Sequence, residues 1–531
     1  MTDENRCARR RRALILAVGW TFLGLAGCAS PAPRASAPKA REVILSSDED
    51  LEAEVEIGRQ AARQVQQEMG LLADTALVSY VQEIGKRVAA MSPRTDVEYQ
   101  FQVADTPDVN AFALPGGYIY VTRGLLAMTN SEDELANVLA HEVGHVAGRH
   151  FAQRQERARN VGMLTTVGIL AAAVMGAGEA ASLLAGLTQT AGAGYLAAYG
   201  RDQEREADSL GQLMASRAGW DPAGMSSFLT TLDRETQLQR GAPPKSSFLA
   251  THPATPERVG VTAARARSLE TNLLTAPPIK RPDYLERLRG LVVGEDPAQG
   301  LFREETFLHR DFDLRIEFPK GWITRNTAAA VGALSPNQAA LLKLELQGEG
   351  ADVRGAAAEF MATLKGRVVR KNGMSIGGLS AYRAVIMEGE SAVEITWFTH
   401  RDLIFRLTGV TEAPRYPDRY ERLFGDTASS VRPLKPEESQ DIRRLTLGMA
   451  KAREGETLAE FCERTGNRWT LDETATANGI FAYDPLSAGQ LLKIAVAEDP
   501  KAPEAAKPKA TEPERATPKR DGYGATSGAG S

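Results

Sequence analysis

Residues 131–150 read SEDELANVLAHEVGHVAGRH and carry the motif HExxH at positions 141–145. Ser131 and Glu134 have the spacing of a capping box, which is typical of the first turn of a helix. The apolar residues that follow recur at helical spacing, at positions 135, 138, 139, 143 and 146. The pattern predicts a helix that begins near Glu132 and carries the whole motif.

The motif supplies side chains for a metal site. Residues four positions apart share a helix face, so the imidazoles of His141 and His145 can reach one Zn²⁺. Glu142 can accept a proton from water at the metal and is the predicted catalytic base. A catalytic zinc needs a third protein ligand and one open position, so another residue must complete the site.

Two later positions compete to supply the third ligand. His150 lies nine positions after His141 and falls on the opposite face of an extended helix, so we interpret it as structural. A later acidic, helix-like segment offers Glu204, with Asp208 on the same face and Glu206 on another. Glu204 is the predicted third metal ligand, and Asp208 is predicted to accept the spare N–H of a ligating histidine.

The order of these motifs resembles a known family. HExxH is followed by ExxAD at 204–208 and by Thr251-His252-Pro253, and the segment NAFALPGGYIYVTRGL at 110–125 precedes them. Together they resemble the zinc endopeptidase family that includes HtpX, the CaaX prenyl protease and BepA. The resemblance covers roughly residues 45–290 and implies an α+β fold, a mainly helical zincin-type metalloprotease domain with a small β-sheet.

The resemblance also implies roles for further residues. The resemblance implies that the strand before the zinc helix is an edge strand of its sheet, against which an extended protein substrate pairs. An unpaired strand edge is a ready template for such pairing. The predicted substrate-binding residues are Gly117, Tyr118, Ile119, Tyr120 and Val121. It also brings His252 close to the zinc, where it would either regulate access or assist the transition state, and we assign it a catalytic-site role without choosing between them.

The N-terminal residues predict export and lipidation. A basic run precedes an apolar stretch at 13–26 that is too short to span a bilayer but has the length of a secretory signal core. The stretch ends in LAGC, which resembles the bacterial lipobox with Cys28 as the lipidated residue. Residues 1–27 are therefore a predicted signal peptide and 28–44 a tether. The location predicted for the protein is the periplasmic face of a Gram-negative outer membrane, where the lipid on Cys28 anchors it.

Three further segments follow the predicted protease domain at 45–295. Residues 301–433 alternate strands with two helices, and their opening FPKGW resembles PsbP/Mog-like domains. Residues 445–497 resemble a LysM module, which in other proteins binds N-acetylglucosamine polymers such as peptidoglycan, although the segment at 469–472 interrupts the expected second helix. Residues 500–531 form a tail rich in proline and charge, which we predict to be disordered.

Composition narrows the possible functions. The 531 residues carry 63 Lys+Arg and 68 Asp+Glu, a net charge of −5 that gives no basic field for nucleic acid. Three cysteines cannot build a disulfide framework in a chain of this length. An uncharged apolar run at 161–178 leaves membrane contact open.

The sequence as a whole predicts a lipid-anchored periplasmic zinc metalloendopeptidase with one Zn²⁺ per chain. It would cleave misfolded or unassembled envelope proteins, with peptidoglycan or the outer-membrane assembly machinery as further partners. The alternative is a non-catalytic or latched scaffold that binds proteins or peptidoglycan, because more than 200 residues follow the catalytic motifs.

Overall fold

The computed structural model describes residues 48–153, 199–238, 248, 252, 256–270 and 283–498, the last range without 328–329, 338, 365, 389–390 and 412–417. All of them lie in the compact unit that begins at Val43. The predicted signal peptide, Cys28, the tether up to residue 44, the apolar run 161–178 and the tail 500–531 lie outside the described residues.

The N-terminal part of the fold is mainly helical. Its helices are α1 Asp48–Met69, α2 Thr75–Ala89, α3 Arg123–Met128, α4 Glu132–Ala147, α5 Arg201–Arg217, α6 Gly224–Leu238, α7 Pro256–Glu270 and α8 Tyr284–Arg287. Helix α4 begins where the capping box predicts, and the Ser131 hydroxyl accepts a hydrogen bond from the Glu134 N–H. Every residue of α4 except Asp133 is buried, so this helix is the centre of the domain.

Three short strands form the sheet of this part: β1 Gln100–Ala104, β2 Ala111–Ala113 and β3 Tyr118–Thr122. Their order is β1-β3-β2, and β3 pairs parallel to β1 and antiparallel to β2. The turn before β3 contains Gly116 and Gly117 with φ of 71° and 89°, a conformation that favours glycine.

This topology corrects the prediction of the substrate edge. Residues Tyr118, Ile119, Tyr120 and Val121 lie in the central strand, whose backbone is already paired on both sides, and Gly117 lies in the turn before it. The prediction that these residues form a free edge is therefore wrong. Among the described residues β2 pairs with β3 alone, so β2 is an edge strand of this sheet.

The described residues of 301–433 form two sheets and two helices. A three-stranded sheet has the order β4-β5-β6, and a seven-stranded antiparallel sheet has the order β10-β11-β12-β13-β9-β8-β7. The strands are β4 Leu301–Arg303, β5 Thr306–His309, β6 Leu314–Glu317, β7 Ile323–Asn326, β8 Ala330–Leu334, β9 Ala340–Glu349, β10 Arg367–Ile376, β11 Leu379–Glu388, β12 Ser391–His400 and β13 Leu403–Thr411. The helices are α9 Val353–Thr363 and α10 Asp418–Ser429. The predicted α+β character of this region is confirmed.

Helix α11 Pro436–Asp441 leads into the LysM-like segment, which has the order strand, helix, helix, strand. Its elements are β14 Leu445–Lys451, α12 Leu458–Thr465, α13 Leu471–Ala477 and β15 Leu491–Ala497, and β14 pairs antiparallel to β15. The second helix is not interrupted as predicted, because the Thr470 side chain accepts from the Glu473 N–H and caps its first turn. Assignment of this segment to LysM stays a prediction.

The LysM-like segment shares the core of the helical part. Leu447 donates its N–H to the Leu291 carbonyl at 2.7 Å, and Val293 donates to Leu445 at 2.9 Å, so residues 290–293 run alongside β14. Leu447, Met449 and Ala495 belong to the same hydrophobic cluster as the buried face of α4. The two regions predicted as separate domains are thus packed as one body.

The described residues contain no helix that is both long enough and apolar enough to cross a bilayer.

Candidate metal centre

Two buried helices bring the predicted site residues together. Helix α4 carries His141, Glu142 and His145, and helix α5 carries Glu204 and Asp208. All five side chains are at least nine-tenths buried. The i, i+4 spacing places the two histidines on one face of α4, and the same spacing places both acidic side chains on the face of α5 that meets it.

The helices approach closely because glycines lie at their contact. A Cβ atom on Gly144 would lie 2.9 Å from the Ala207 carbonyl oxygen. A Cβ atom on Gly211 would lie 2.9 Å from the His141 amide nitrogen. Both distances are shorter than a van der Waals contact of a carbon atom. Side chains at these positions would therefore push α5 away from α4.

Two imidazole nitrogens and the two oxygens of one carboxylate form a triangle of the size that a zinc ion requires. His141 Nε2 lies 3.0 Å from His145 Nε2 and 3.6 Å from Glu204 Oε2, and His145 Nε2 lies 3.4 Å from Glu204 Oε1. Tetrahedral coordination at about 2.0–2.1 Å gives ligand separations of about 3.4 Å. The chemistry of the donors also fits, since two imidazole nitrogens and a carboxylate are zinc ligands.

His252 lies against this triangle. Its Nδ1 is 3.3 Å from His141 Nε2 and 3.0 Å from Glu204 Oε1, and its ring stacks on Phe248 with centroids 4.4 Å apart. The ligand atoms of His141, His145, Glu204 and His252 all lie within 4.8 Å of one another. His252 is therefore placed where a fourth ligand would be, and its Nε2 is 3.6 Å from Glu142 Oε1.

A buried ion pair holds the acidic side chains in place. Arg258 of α7 donates from Nε and Nη2 to Asp208 at 2.9 and 2.8 Å, and its Nη1 lies 2.7 Å from Glu204 Oε2. Asp208 Oδ1 lies 2.9 Å from His141 Nδ1. Asp208 therefore lies against the histidine that the sequence predicts as a ligand, and this contact leaves His141 Nε2 facing the triangle.

The electrostatics of the site favour the metal-binding forms of His145 and Glu204, whereas at His141 the carboxylates of Asp208 and Glu204 outweigh burial and raise the pKa. Burial lowers the pKa of His145 well below its usual value, which keeps the imidazole neutral near neutral pH. Burial alone would raise the pKa of Glu204, but the neighbouring histidines, His252 foremost, outweigh burial and hold that pKa far below its usual range. Burial raises the pKa of Glu142 above its usual value, as expected for a carboxylate that exchanges protons.

His150 lies in a different place from the one that the sequence predicts. His150 is fully buried and its Nδ1 lies 2.8 Å from His145 Nδ1, so it does not point away from the centre. The prediction extended a regular helix through residue 150, whereas α4 ends at Ala147 and Arg149 has a φ of 52°. The left-handed residue turns the chain back toward His145. The GR pair at 148–149 was a signal for the end of the helix.

Tyr199 was missed because a single tyrosine before an acidic helix carries no pattern. Its ring stacks on His145, with centroids 3.6 Å apart and an interplanar angle of 22°.

The side chain of Glu206, predicted to face away from Glu204, is 43% exposed, and its Oε2 lies 3.4 Å from His150 Nε2.

A buried HExxH helix whose histidines meet a carboxylate from a second helix defines a metallopeptidase-type centre. Residues 76–266, which include all of these side chains, match the model of peptidase family M48. The predicted zinc endopeptidase family and the α+β class are both confirmed.

Two relatives illustrate the similarity. The beta-barrel assembly-enhancing protease of Yersinia pestis is 31% identical over 237 residues, which cover 44% of this chain and 47% of that protein. The mitochondrial metalloendopeptidase OMA1 of Schizosaccharomyces pombe is 32% identical over 220 residues, which cover 40% of this chain and 61% of that protein. The chain thus spans about half the length of the bacterial relative.

One solved structure aligns with part of the chain. The solution structure of cyanobacterial PsbP from Synechocystis sp. PCC 6803 is 15% identical, covers 27% of this chain and 98% of that protein, and has a TM-score of 0.22. A TM-score this low does not establish a shared fold, so the PsbP-like assignment of residues 301–433 stays a prediction.

Proposed function

We propose that the protein is a zinc metalloendopeptidase in which His141, His145 and Glu204 hold the metal. The observation that carries this proposal is the triangle inside a segment that matches family M48: the two imidazole nitrogens lie 3.0 Å apart, and they lie 3.4 and 3.6 Å from oxygens of the Glu204 carboxylate. A bound zinc would supply Lewis-acid chemistry, polarising a peptide carbonyl and acidifying water at the site.

The residues around the triangle have distinct tasks in this proposal. Glu142 accepts a proton from the attacking water and then donates it to the amine of the departing peptide. Its raised pKa suits both directions of transfer near neutral pH. Asp208 Oδ1 lies 2.9 Å from His141 Nδ1 and would accept a hydrogen bond from its N–H, and Arg258 holds Asp208 in turn. This support keeps Nε2 of His141 aimed at the metal.

The substrate strand has a different place from the one that the sequence predicted. Strand β2 lies at the edge of its sheet and packs against helix α4. An extended peptide could add to this edge through main-chain hydrogen bonds and pass over the site. We therefore propose Ala111–Ala113 as the segment that aligns the substrate.

The cellular role that we propose is protein quality control at the outer membrane. The lipobox-like end of the signal sequence supports a lipid anchor at Cys28 and a periplasmic location. The name of the Yersinia relative, a beta-barrel assembly-enhancing protease, supports misfolded or unassembled envelope proteins as substrates. Peptidoglycan, through residues 445–497, and the outer-membrane assembly machinery are the further partners in this proposal.

A second candidate function is a latched enzyme that acts chiefly as a scaffold. The observation that favours it is the position of His252, whose Nδ1 lies 3.3 Å from His141 Nε2 and 3.0 Å from Glu204 Oε1. The imidazole therefore occupies the position that a water or a substrate carbonyl would need during hydrolysis. In this form His252 must leave before hydrolysis begins. Complementation of a deletion strain by Glu142→Gln would support the scaffold.

Exchange of the base tests the proposed mechanism. Glu142→Gln should bind zinc as well as wild type does, because the residue is no ligand, while hydrolysis of unfolded casein should fall by about 10²–10⁴-fold. Asp202→Asn, an exposed change on α5, is the control and should cleave normally. Equal cleavage by Glu142→Gln and wild type would contradict the mechanism.

A further inference from the structure

We propose that His150 positions the metal ligand His145, acting as the hydrogen-bond acceptor that fixes its tautomer. Glu206 is the next residue in the same chain of contacts. The inference rests on the metal centre of the proposed function, and it gives the third histidine of the segment 141–150 a task that no motif assigned to it.

Both ring nitrogens of His145 face specific partners. Its Nε2 lies in the ligand triangle, 3.0 Å from His141 Nε2, and its Nδ1 lies 2.8 Å from His150 Nδ1. A nitrogen that gives its lone pair to a metal carries no proton, so the proton of neutral His145 must be on Nδ1. Only an acceptor can then stand at 2.8 Å, and the Nδ1 of His150 must be unprotonated.

The next contact is consistent with this assignment. With Nδ1 as acceptor, neutral His150 carries its proton on Nε2, and this atom lies 3.4 Å from Glu206 Oε2. The carboxylate can accept a hydrogen bond from that N–H. The chain His145, His150, Glu206 therefore has one direction of donation throughout, from the metal ligand outward to a side chain that is 43% exposed.

The two histidine ligands are supported in different ways. His141 Nδ1 lies 2.9 Å from Oδ1 of Asp208, a carboxylate that Arg258 holds in a buried ion pair. His145 donates to a neutral imidazole, which is a weaker acceptor than a carboxylate but is itself buried completely. Partners of this kind orient the ligand ring and raise its basicity, and their loss typically reduces metal affinity by about 10–100-fold.

The local backbone is built to seat the His150 ring. Helix α4 ends at Ala147 with Gly148 as its C-cap, and Arg149 adopts a φ of 52°, which turns residue 150 toward His145. A Cβ atom on Gly148 would lie 2.5 Å from His150 Nε2. The φ of −76° at Gly148 is open to any residue, so the absence of a side chain there serves the imidazole rather than the backbone.

Zinc affinity of the full chain, measured by competition with a chromogenic chelator, tests the inference without using catalysis. His150→Phe keeps a ring of similar size but removes the acceptor, and His150→Asn keeps an acceptor oxygen near the position of Nδ1. Gly148→Ala leaves His150 unchanged and displaces its ring. Gly260→Ala on α7, where a Cβ atom meets nothing within 4 Å, is the control. Thermal unfolding of the metal-free variants reports any structural damage separately.

We expect His150→Phe and Gly148→Ala to weaken zinc binding by about 10–100-fold. His150→Asn should recover most of that loss, and Gly260→Ala should match wild type. Should His150→Phe fail to fold, Gly148→Ala and His150→Asn still decide the question. Wild-type affinity in His150→Phe or Gly148→Ala would overturn the inference, and so would equal losses in the Phe and Asn variants. A wild-type chain that binds no zinc would instead overturn the proposed metal centre itself.

Discussion

At the scale of single residues, Asp208 joins the metal ligands to a buried cation. It lies 2.9 Å from His141 Nδ1 and receives two hydrogen bonds from Arg258. Asp208→Ala would leave Arg258 with Glu204 as its remaining carboxylate, and breaking a buried pair typically costs about 3–5 kcal/mol. We expect a loss of about 3 kcal/mol in the free energy of unfolding, measured with urea on the metal-free chain.

Asp202→Ala is the matched control for that change, because it removes a carboxylate from the same helix at a side chain that is 97% exposed. Its effect should stay within about 0.5 kcal/mol. Equal losses in the two variants would show that the buried pair does not stabilise the fold.

The side chains that meet at the proposed metal centre were predictable because local geometry places them on common helix faces. His141 with His145, and Glu204 with Asp208, are i, i+4 pairs whose common face follows from helix period alone. His150 was not predictable in the same way, because its position depends on where α4 ends and on one left-handed residue at Arg149. Arg258 lies 50 residues from Asp208 along the chain, and nothing local pairs them.

At the scale of elements, the contact between α4 and α5 depends on the small size of Gly211. A methyl group there would lie 2.9 Å from the backbone nitrogen of His141. We expect Gly211→Ala to separate the helices, to lower the free energy of unfolding by about 1–3 kcal/mol, and to weaken zinc binding together with it. Urea unfolding and chelator competition on the same sample measure both effects.

Gly260→Ala, in contrast to Gly211→Ala, should raise the free energy of unfolding. It also lies inside a helix, but a Cβ atom there contacts nothing within 4 Å. Alanine has the better helix propensity, so this variant should gain about 0.5–1 kcal/mol. A stabilising Gly211→Ala would contradict the close packing of α4 on α5.

Helices and strands with a local sequence pattern were predicted correctly, but the elements that they pack against or pair with were not. The capping box at Ser131 located the start of α4, but the pairing of β3 with both β1 and β2 depends on contacts that no periodicity reveals. Strand β10 carries no buried stripe that its sequence could reveal, because most of its residues are exposed. The Gly377-Gly378 pair, with φ of 52° and 85°, was the available hairpin signal for β10 and β11.

At the scale of the whole molecule, Lys493 joins the LysM-like segment to the helical part. Its buried Nζ donates to the carbonyls of Ala127 and Thr129, each at 2.9 Å, at the end of α3. Burial lowers the pKa of Lys493 to about 7, although Glu134 on α4 opposes the decrease. The usual pKa of about 10.4 applies to the unfolded chain.

These values give a pH dependence with a definite sign. Between pH 7 and 10.4 the unfolded chain binds the Lys493 proton more strongly than the folded chain, so the free energy of unfolding rises with pH in this window. From pH 7 to 9, wild type should gain about 2 kcal/mol relative to Lys493→Met. Urea unfolding of both metal-free chains at several pH values measures the difference, and parallel pH profiles would contradict the buried cation.

The contact between Lys493 and the end of α3 could not be predicted from the sequence. Residues 445–497 were recognised by their own pattern, yet the contacts that fix them run from Lys493 to Ala127, 366 positions away. A lysine in a strand normally faces solvent, and only the packing of the two regions shows that this one does not.

Zinc stoichiometry of the purified chain, determined alongside casein cleavage for wild type and Glu204→Ala, tests the central claim most directly. We predict one zinc per chain and cleavage in wild type, and loss of both in Glu204→Ala, because the carboxylate is one corner of the triangle around the metal. A wild-type chain without zinc, or a Glu204→Ala variant that holds zinc and cleaves as wild type does, would contradict the account.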